Sequence, residues 1–350
     1  MREIRYKDFS LERHQKNWRK DRPNSCQFEL TFGCFLHCRH CYTDCFNNPK
    51  DLKKELTSNQ IISILNKVYD SGVLWLCFTG GDPFARKDFL KIYAYAKKKG
   101  FIVTIFSSGA FITQEIVDYF KKLKPFCVEL TLNGVTQKTY EAISGVKASF
   151  AKVMTAIESL KAANIPYKIK TQVTKQNIRE LDKMRAFVED LGLEFRPSTM
   201  LFARLNRDPT PCRLRIEPEE VLAVDGRFQI SSMDEEGLSG RNHKSKAKAN
   251  LFNCGTGIDT FHINPYGDMF LCSTVREPSV NLLKNEVADG LKLFKKIIRQ
   301  RFKTESKCQA CSIRHLCYSC PGRAYLETGN PEAQVEYFCK LAHLIGYGRS

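Results

Sequence analysis

Three cysteines crowd into eight residues, Cys34-x3-Cys38-x2-Cys41, directly after a short apolar run at 28–31. Three closely spaced thiolates suit an iron–sulfur cube and leave one iron without a protein ligand. Chemistry at a metal needs such an open position, whereas a purely structural site is closed. Zinc is the competing reading, with His37 and His40 as the available extra donors. Cys45 would extend the set to four, but the resulting spacing departs from the bacterial ferredoxin run, and Phe46 stands where that run has proline. The preferred ligand set is therefore Cys34, Cys38 and Cys41.

The segment that follows alternates short apolar runs with amphipathic stretches, the pattern of parallel strands joined by helical crossovers. Strands are expected at 28–31, 73–78, 102–107, 128–132, 167–173 and 194–196, and helices around 58–69, 88–99, 113–123, 150–162 and 177–191. Thr57, Thr113 and Ser149 are the expected helix caps. Six strands fall short of the eight of a closed barrel. Gly33-Cys34, Gly80-Gly81-Asp82, Ser107-Ser108-Gly109 and Asn133-Gly134 all fall in loops at the C-terminal ends of expected strands. Folds of this class place their chemistry there, so one shared site is expected.

No apolar run reaches the roughly 20 residues of a membrane-spanning helix, and the first residues lack a secretory apolar core. A cytoplasmic protein is expected, and in that compartment fifteen cysteines point to metal ligation before disulfides. The formal net charge is +17. Cluster-bound thiolates would remove roughly four or five of those units. Lys97–Lys99 and Lys121-Lys122 sit at helix ends, where cations suit the dipole. The basic stretch around Trp18, with Arg13, Lys16, Arg19, Lys20 and Arg22, could contact an acidic partner. An RNA-binding reading rests on charge alone, and nucleic acid is not the expected partner, because aromatic-interleaved binding motifs are absent.

Seven further cysteines recur from Cys254 to Cys339: Cys254 and Cys272, then Cys308-x2-Cys311-x5-Cys317-x2-Cys320, then Cys339. The five residues between the two Cys-x2-Cys pairs are too few for a zinc ribbon. Iron–sulfur ligation is favoured, and this tail is expected to fold around metal rather than an apolar core. Cys26, Cys77 and Cys127 lie in or beside apolar strands and read as small core residues. Residues 1–25 read as a basic extension, 26–205 as the barrel, 206–250 as a bridging segment and 251–350 as the cysteine-rich domain.

The triad, followed by Thr79-Gly80-Gly81-Asp82-Pro83 after the second strand, resembles the radical S-adenosylmethionine (radical SAM) superfamily over residues 28 to about 197. That resemblance implies an α/β fold, a partial (β/α)6 barrel with a C-terminal auxiliary iron–sulfur domain. It also implies a 4Fe-4S cluster whose open iron binds S-adenosylmethionine, and reductive cleavage to a 5′-deoxyadenosyl radical that takes a substrate hydrogen. By position, Gly80, Gly81 and Asp82 would hold the methionine amino group, His40 would lie near adenine, and Ser108 and Thr131 near the nucleoside. Asp82 stands where the family more often has glutamate, and Thr131 where it commonly has serine.

The second cysteine set resembles the SPASM extension of peptide-modifying radical enzymes, with Gly267 five positions before Cys272. This implies two auxiliary iron–sulfur clusters, Cys308, Cys311, Cys317 and Cys339 holding one and Cys254, Cys272 and Cys320 sharing the other. The latter lacks a fourth ligand, for which Cys212, Asp259, His262 or a substrate thiol are candidates. The expected function is modification of a ribosomally made precursor peptide by C–H activation: crosslink, epimer, thioether or excision. Its expected partners are the peptide, a separate peptide-recognition protein and a flavodoxin- or ferredoxin-type electron donor. Tetrapyrrole modification is the alternative; sulfatase maturation is another, weakened because Ser273 follows Cys272 where those enzymes carry an acid.

Overall fold

Along β2, Trp75–Gly80, and β3, Ile102–Ser107, every second side chain is buried. That period of two puts Leu76, Phe78, Val103 and Ile105 on one face, at 1% exposure or less. Against this face pack helices whose apolar stripes recur at helical spacing: Ile61, Ile64, Leu65 and Val68 of α3, Ser58–Asp70, and Phe89, Ile92, Tyr93 and Ala96 of α4, Phe89–Lys99. The other strand face turns away from the helices, into the inside of an open barrel.

In this computed structural model the described residues are 5–18, 22–43, 49–228, 250–252 and 256–347. The chain begins with α1, Tyr6–Trp18, β1, Ser25–Thr31, and α2, Pro49–Leu52. After β3 come α5, Gln114–Lys122, β4, Cys127–Thr131, α6, Gln137–Ser144, α7, Ser149–Ala162, β5, Tyr167–Gln172, α8, Leu181–Asp190, β6, Arg196–Ser198, and α9, Pro218–Phe228. The C-terminal part holds β7, Thr260–Ile263, β8, Asp268–Phe270, β9, Val280–Asn281, α10, Val287–Ile298, α11, Lys307–Ala310, α12, Pro321–Thr328, and α13, Glu336–Tyr347.

Among the described residues the strands form one nine-stranded sheet in the order β6-β5-β4-β3-β2-β1-β7-β8-β9. The six barrel strands pair in parallel and in sequence, so the barrel stays open as expected. β7 then adds in parallel beside β1, Ser25 opposite Thr260 through Phe28 opposite Ile263. The sheet therefore runs across the expected division at residue 250 without a break. α9 occupies part of the segment read as a bridge, and residues 229–249 lie outside the described set.

Three sequence expectations change. Thr57 and Thr113 cap their helices, accepting from Gln60 N and Ile116 N, but Ser149 begins α7 instead of capping it. Its hydroxyl donates to Val146 O at 2.6 Å, and Ala148 is the residue before the helix. The basic N-terminus is not a loose extension: α1 closes the end of the barrel at which the strands start. Tyr6 accepts from the Trp75 indole N–H at 2.7 Å, and its ring lies 4.9 Å from Phe126; Arg13 donates to Gly72 O at 2.9 Å. The tail is not coreless either: Phe294, Ile297 and Leu341 join the barrel's core, and Ala324, Val335 and Phe338 form a small apolar cluster of their own. The expectation of a coreless tail fits only residues 301–320, none of which is buried.

Candidate active site

Thr31 ends β1, and Gly33 follows it into the cysteine loop. Gly33 N donates to Thr31 Oγ1 at 2.9 Å, while Thr31 Oγ1 and Phe32 N donate to the half-buried Glu55 carboxylate at 3.0 and 2.6 Å. Arg86 braces the same corner, donating to Leu30 O, Leu56 O and Asp88. The loop's other side rests on the C-terminus of α6: His37 N donates to Ser144 O at 2.8 Å and Arg39 N to Ile143 O at 3.2 Å. The helix's last carbonyls, unsatisfied within the helix, are taken up by the cysteine loop.

Two glycines let the β2 loop press against this one. Gly81 N donates to Thr31 O at 2.7 Å and Asp82 N to Gly33 O at 2.8 Å. A Cβ on Gly80 would stand 2.2 Å from Thr31 O, and one on Gly81 2.3 Å from Gly33 O. Gly80 also has φ +136°, a conformation side chains disfavour. Only glycine fits at either position.

Asp82 is completely buried. Its carboxylate accepts from Ser107 Oγ at 3.0 and 2.9 Å, Ser108 Oγ at 2.6 Å, Ser108 N at 3.0 Å and Phe84 N at 3.1 Å. Burial pushes its pKa up while these donors pull it back. The side chain is committed to joining the β2 and β3 loops. Ser108 gives its hydroxyl proton to Asp82, and Thr131 ends β4 half-buried beside Lys170 of β5.

The three cysteine thiols are mutually coupled. Burial pushes Cys34 up to about 12, reinforced by Asp82 and Cys41, and raises Cys38, reinforced by Cys41 and Cys34. Left bare, Cys34 and Cys38 favour the thiol; a cationic iron core is what would hold the three sulfurs as thiolates. Among the described residues no three His, Cys, Asp or Glu side chains converge closely enough for a single ion. A cube spans more than one ion's coordination sphere, and its fit rests on three soft sulfur donors carried by one braced loop. That donor set fits an iron–sulfur cluster. His40 lies between Cys38 and Cys41; its Nδ1 is buried without a hydrogen-bond partner, and burial lowers its pKa to about 4. Cys45 lies outside the described residues.

Tyr140 of α6 was not singled out in the sequence. Tyr140 is 1% exposed, and burial, then Cys38, Asp82 and Cys34, raise its pKa. Position alone gave no signal for it, because it lies about a hundred residues from the triad and reaches it only through the fold.

Five of the tail cysteines, Cys308, Cys311, Cys317, Cys320 and Cys339, share the lining of a cavity of about 60 Å³. Burial raises Cys308, then Cys339 and Cys311 add to it; Cys317 is raised to about 11 by burial, with Cys308, Cys339 and Cys311 contributing. Arg314 faces these thiols while donating to Asn250 O and Leu251 O at 3.0 and 2.7 Å. A fixed cation there suits a cluster of net negative charge. Cys272, raised by burial, pairs electrostatically with Cys320. Gly322 permits this approach, since a Cβ on it would meet Thr274 Oγ1 at 2.4 Å. Cys254 lies outside the described residues.

The candidates for a missing ligand have other partners. Cys212 bonds Glu327, Asp259 accepts from Asn24, and His262 stacks on Phe270 at 5.8 Å with its pKa lowered to about 3 by burial and Arg276. Cys26 and Cys127 are core residues, as expected. Cys77 is not: it faces the barrel's inside, where burial pushes it up to about 12 and Lys170 pulls it down.

Residues 28–188 match the family model described as "Radical SAM superfamily". These residues form a radical SAM domain. Among curated proteins, the chain is 24% identical over 332 residues to an AdoMet-dependent heme synthase of Methanosarcina barkeri, covering 88% of this chain and 94% of that one. It is 27% identical to the mycofactocin maturase MftC of Mycobacterium ulcerans, covering 72% of this chain and 69% of that one. Among solved structures, Streptococcus suis SuiB bound to precursor peptide SuiA superposes with a TM-score of 0.69 at 16% identity, covering 93% of this chain and 78% of that one. At that identity the likeness speaks to the fold, and it extends beyond the radical SAM domain into the tail. The family of that domain implies a 4Fe-4S cluster and S-adenosylmethionine. No helix among the described residues is long and apolar enough to cross a membrane.

Proposed function

We propose that this radical SAM enzyme modifies a ribosomally made precursor peptide by abstracting a hydrogen atom from one of its residues. The observation that carries the reading is the second cysteine set: Cys308, Cys311, Cys317, Cys320 and Cys339 line one cavity, and Cys272 lies near Cys320. Two auxiliary iron–sulfur clusters there would accept or relay the electron that remains after hydrogen abstraction. Cys254 is the proposed further ligand of the second. The similarity to mycofactocin maturase MftC supports the same reading.

Cys34, Cys38 and Cys41 would hold the cluster, which would supply the one electron needed to split the sulfonium of S-adenosylmethionine into methionine and a 5′-deoxyadenosyl radical. The chain's own residues hold the parts in place. Gly80 and Gly81 present backbone to the methionine amino group, and Asp82 fixes that loop to the β3 loop. His40, in a dry pocket beside the cysteines, stands toward adenine, while Ser108 and Thr131 line the nucleoside side. The electron comes from a flavodoxin- or ferredoxin-type donor, and a separate protein recognises the peptide. α1 is an unsuitable peptide clamp because it seals the barrel's far end.

Tetrapyrrole modification is the second reading, favoured by the likeness to a heme synthase along 94% of that enzyme's length. Incubating anaerobically reconstituted enzyme with S-adenosylmethionine, a reductant and a candidate precursor peptide, or with a haem precursor, decides between them by mass spectrometry. The peptide should change mass as 5′-deoxyadenosine accumulates. An unmodified peptide, with turnover of a haem precursor instead, would overturn the proposal.

A further inference from the structure

The barrel's inner face carries two cation–carboxylate pairs, each seated on an aromatic ring. Strand register places Glu29 opposite Thr79, and Phe106 opposite Glu129, on the face that alternates away from the helix-packed core. From the β5 side, Lys170 Nζ reaches Glu129 Oε2 at 3.3 Å and lies 3.0 Å from the Phe106 ring centroid. From beyond β8, Arg276 meets both Glu29 oxygens, at 2.8 and 2.5 Å, and lies 4.5 Å from the Phe270 ring. Cys77 stands between them on β2.

The two pairs differ in access. Glu29 is closed off at 1% exposure and spent in a bidentate pair, whereas Lys170 and Glu129 keep 33% and 25% of their side-chain surface open. Both side chains lie on the strand face turned away from the packed helices, and burial lowers the pKa of Lys170. Of the ammonium's three N–H donors, Glu129 takes one and the Phe106 ring faces another.

Each pair neutralises its own charges, although the chain as a whole carries +17. A ligand bearing several carboxylates would have to displace Glu129 from Lys170 or sit beside it, and like charges held in a concave, partly dry site repel strongly. An amide suits the wall better, since its C=O can accept from Lys170 while its N–H donates to Glu129.

We infer that the Glu129–Lys170 pair on Phe106 is the substrate-facing wall of the barrel and positions an uncharged, amide-bearing segment, disfavouring polycarboxylate substrates such as propionate-bearing porphyrins. The inference rests on the peptide reading above and deepens it. Lys170 and Glu129 are positioning and specificity residues, and Phe106 is their platform.

The test is a titration of anaerobically reconstituted holoenzyme with coproporphyrin III, a porphyrin with propionate side chains, followed by fluorescence. Wild type should bind it weakly. Glu129→Gln frees Lys170 to pair with a propionate and should tighten binding about tenfold, whereas Lys170→Gln should weaken it and Lys170→Arg leave it unchanged. Cluster absorbance and far-ultraviolet circular dichroism verify that each variant is folded; if Glu129→Gln does not fold, Lys170→Gln against Lys170→Arg carries the test. Tight, saturable binding by wild type that Glu129→Gln does not strengthen would overturn the inference. With the precursor peptide as substrate, Lys170→Gln should raise KM more than it lowers kcat. A wild type that modifies the peptide, with Lys170→Gln unchanged in KM, would sink the inference and leave the peptide reading standing. A wild type that turns over the porphyrin and ignores the peptide would sink both.

Discussion

At the scale of single residues, Asp82 does more than its motif suggested. One carboxylate takes hydrogen bonds from two serine hydroxyls and two backbone amides, joining the β2 loop to the β3 loop beneath the cysteines. Replacing it by alanine leaves buried donors unsatisfied, at a cost of about 3 kcal/mol. Asp82→Ala should lower stability in chemical denaturation by that amount and weaken S-adenosylmethionine binding in equilibrium dialysis. Unchanged stability with unchanged binding would mean that the network is incidental. The sequence pointed to Asp82 as a candidate for the site, because a glycine-rich acidic turn after a strand is local information. It did not show the carboxylate's direction, which depends on serines twenty-five residues away. Cys77 was misread for a related reason: a cysteine in an apolar strand looks the same whichever face it occupies.

Among the elements, the strands of the barrel were readable in the chain because period-two burial and loop glycines are written locally. The match is closest at β3, Ile102–Ser107, with both ends as expected. α1 was not readable as a helix. Its sequence, YKDFSLERHQKNW, is mostly polar, and its apolar contacts, Tyr6 and Phe9, meet partners such as Trp75 and Phe126 that are distant in the chain. The seat of β7 beside β1 was likewise invisible, since it depends on pairing across more than two hundred residues. α9 carries a testable liability. Asp225 is 5% exposed, with Oδ1 unpartnered, and burial raises its pKa from 3.8 to about 6, partly offset by Thr199. A carboxyl whose folded pKa lies above its unfolded one contributes fully below the unfolded value, and that contribution is lost as pH rises through about 6. Asp225→Asn should therefore be more stable than wild type by about 2 kcal/mol at pH 8, with the gap closing toward pH 5. Denaturation midpoints at the two pH values measure it, and a gap that does not change with pH would contradict it.

On the scale of the whole molecule, the chain joins a barrel built by apolar packing to a tail segment, 301–320, that buries no side chain of its own. Stability and redox chemistry should therefore separate. Barrel integrity rests on the helix-packed sheet, and the order of the tail segment rests on its thiolate ligands. The central claim is that Cys34, Cys38 and Cys41 hold the cluster that cleaves S-adenosylmethionine, while the tail cysteines hold others. The most direct measurement is 5′-deoxyadenosine formation by anaerobically reconstituted enzyme, alongside iron counts and limited proteolysis, for wild type, Cys38→Ser and Cys308→Ser. Wild type should release 5′-deoxyadenosine. Cys38→Ser should stay folded, retain the tail's iron and release none; Cys308→Ser should lose iron and become cleavable within 301–320. A Cys38→Ser enzyme that still cleaves S-adenosylmethionine, or a reconstituted wild type that leaves it intact, would contradict the account.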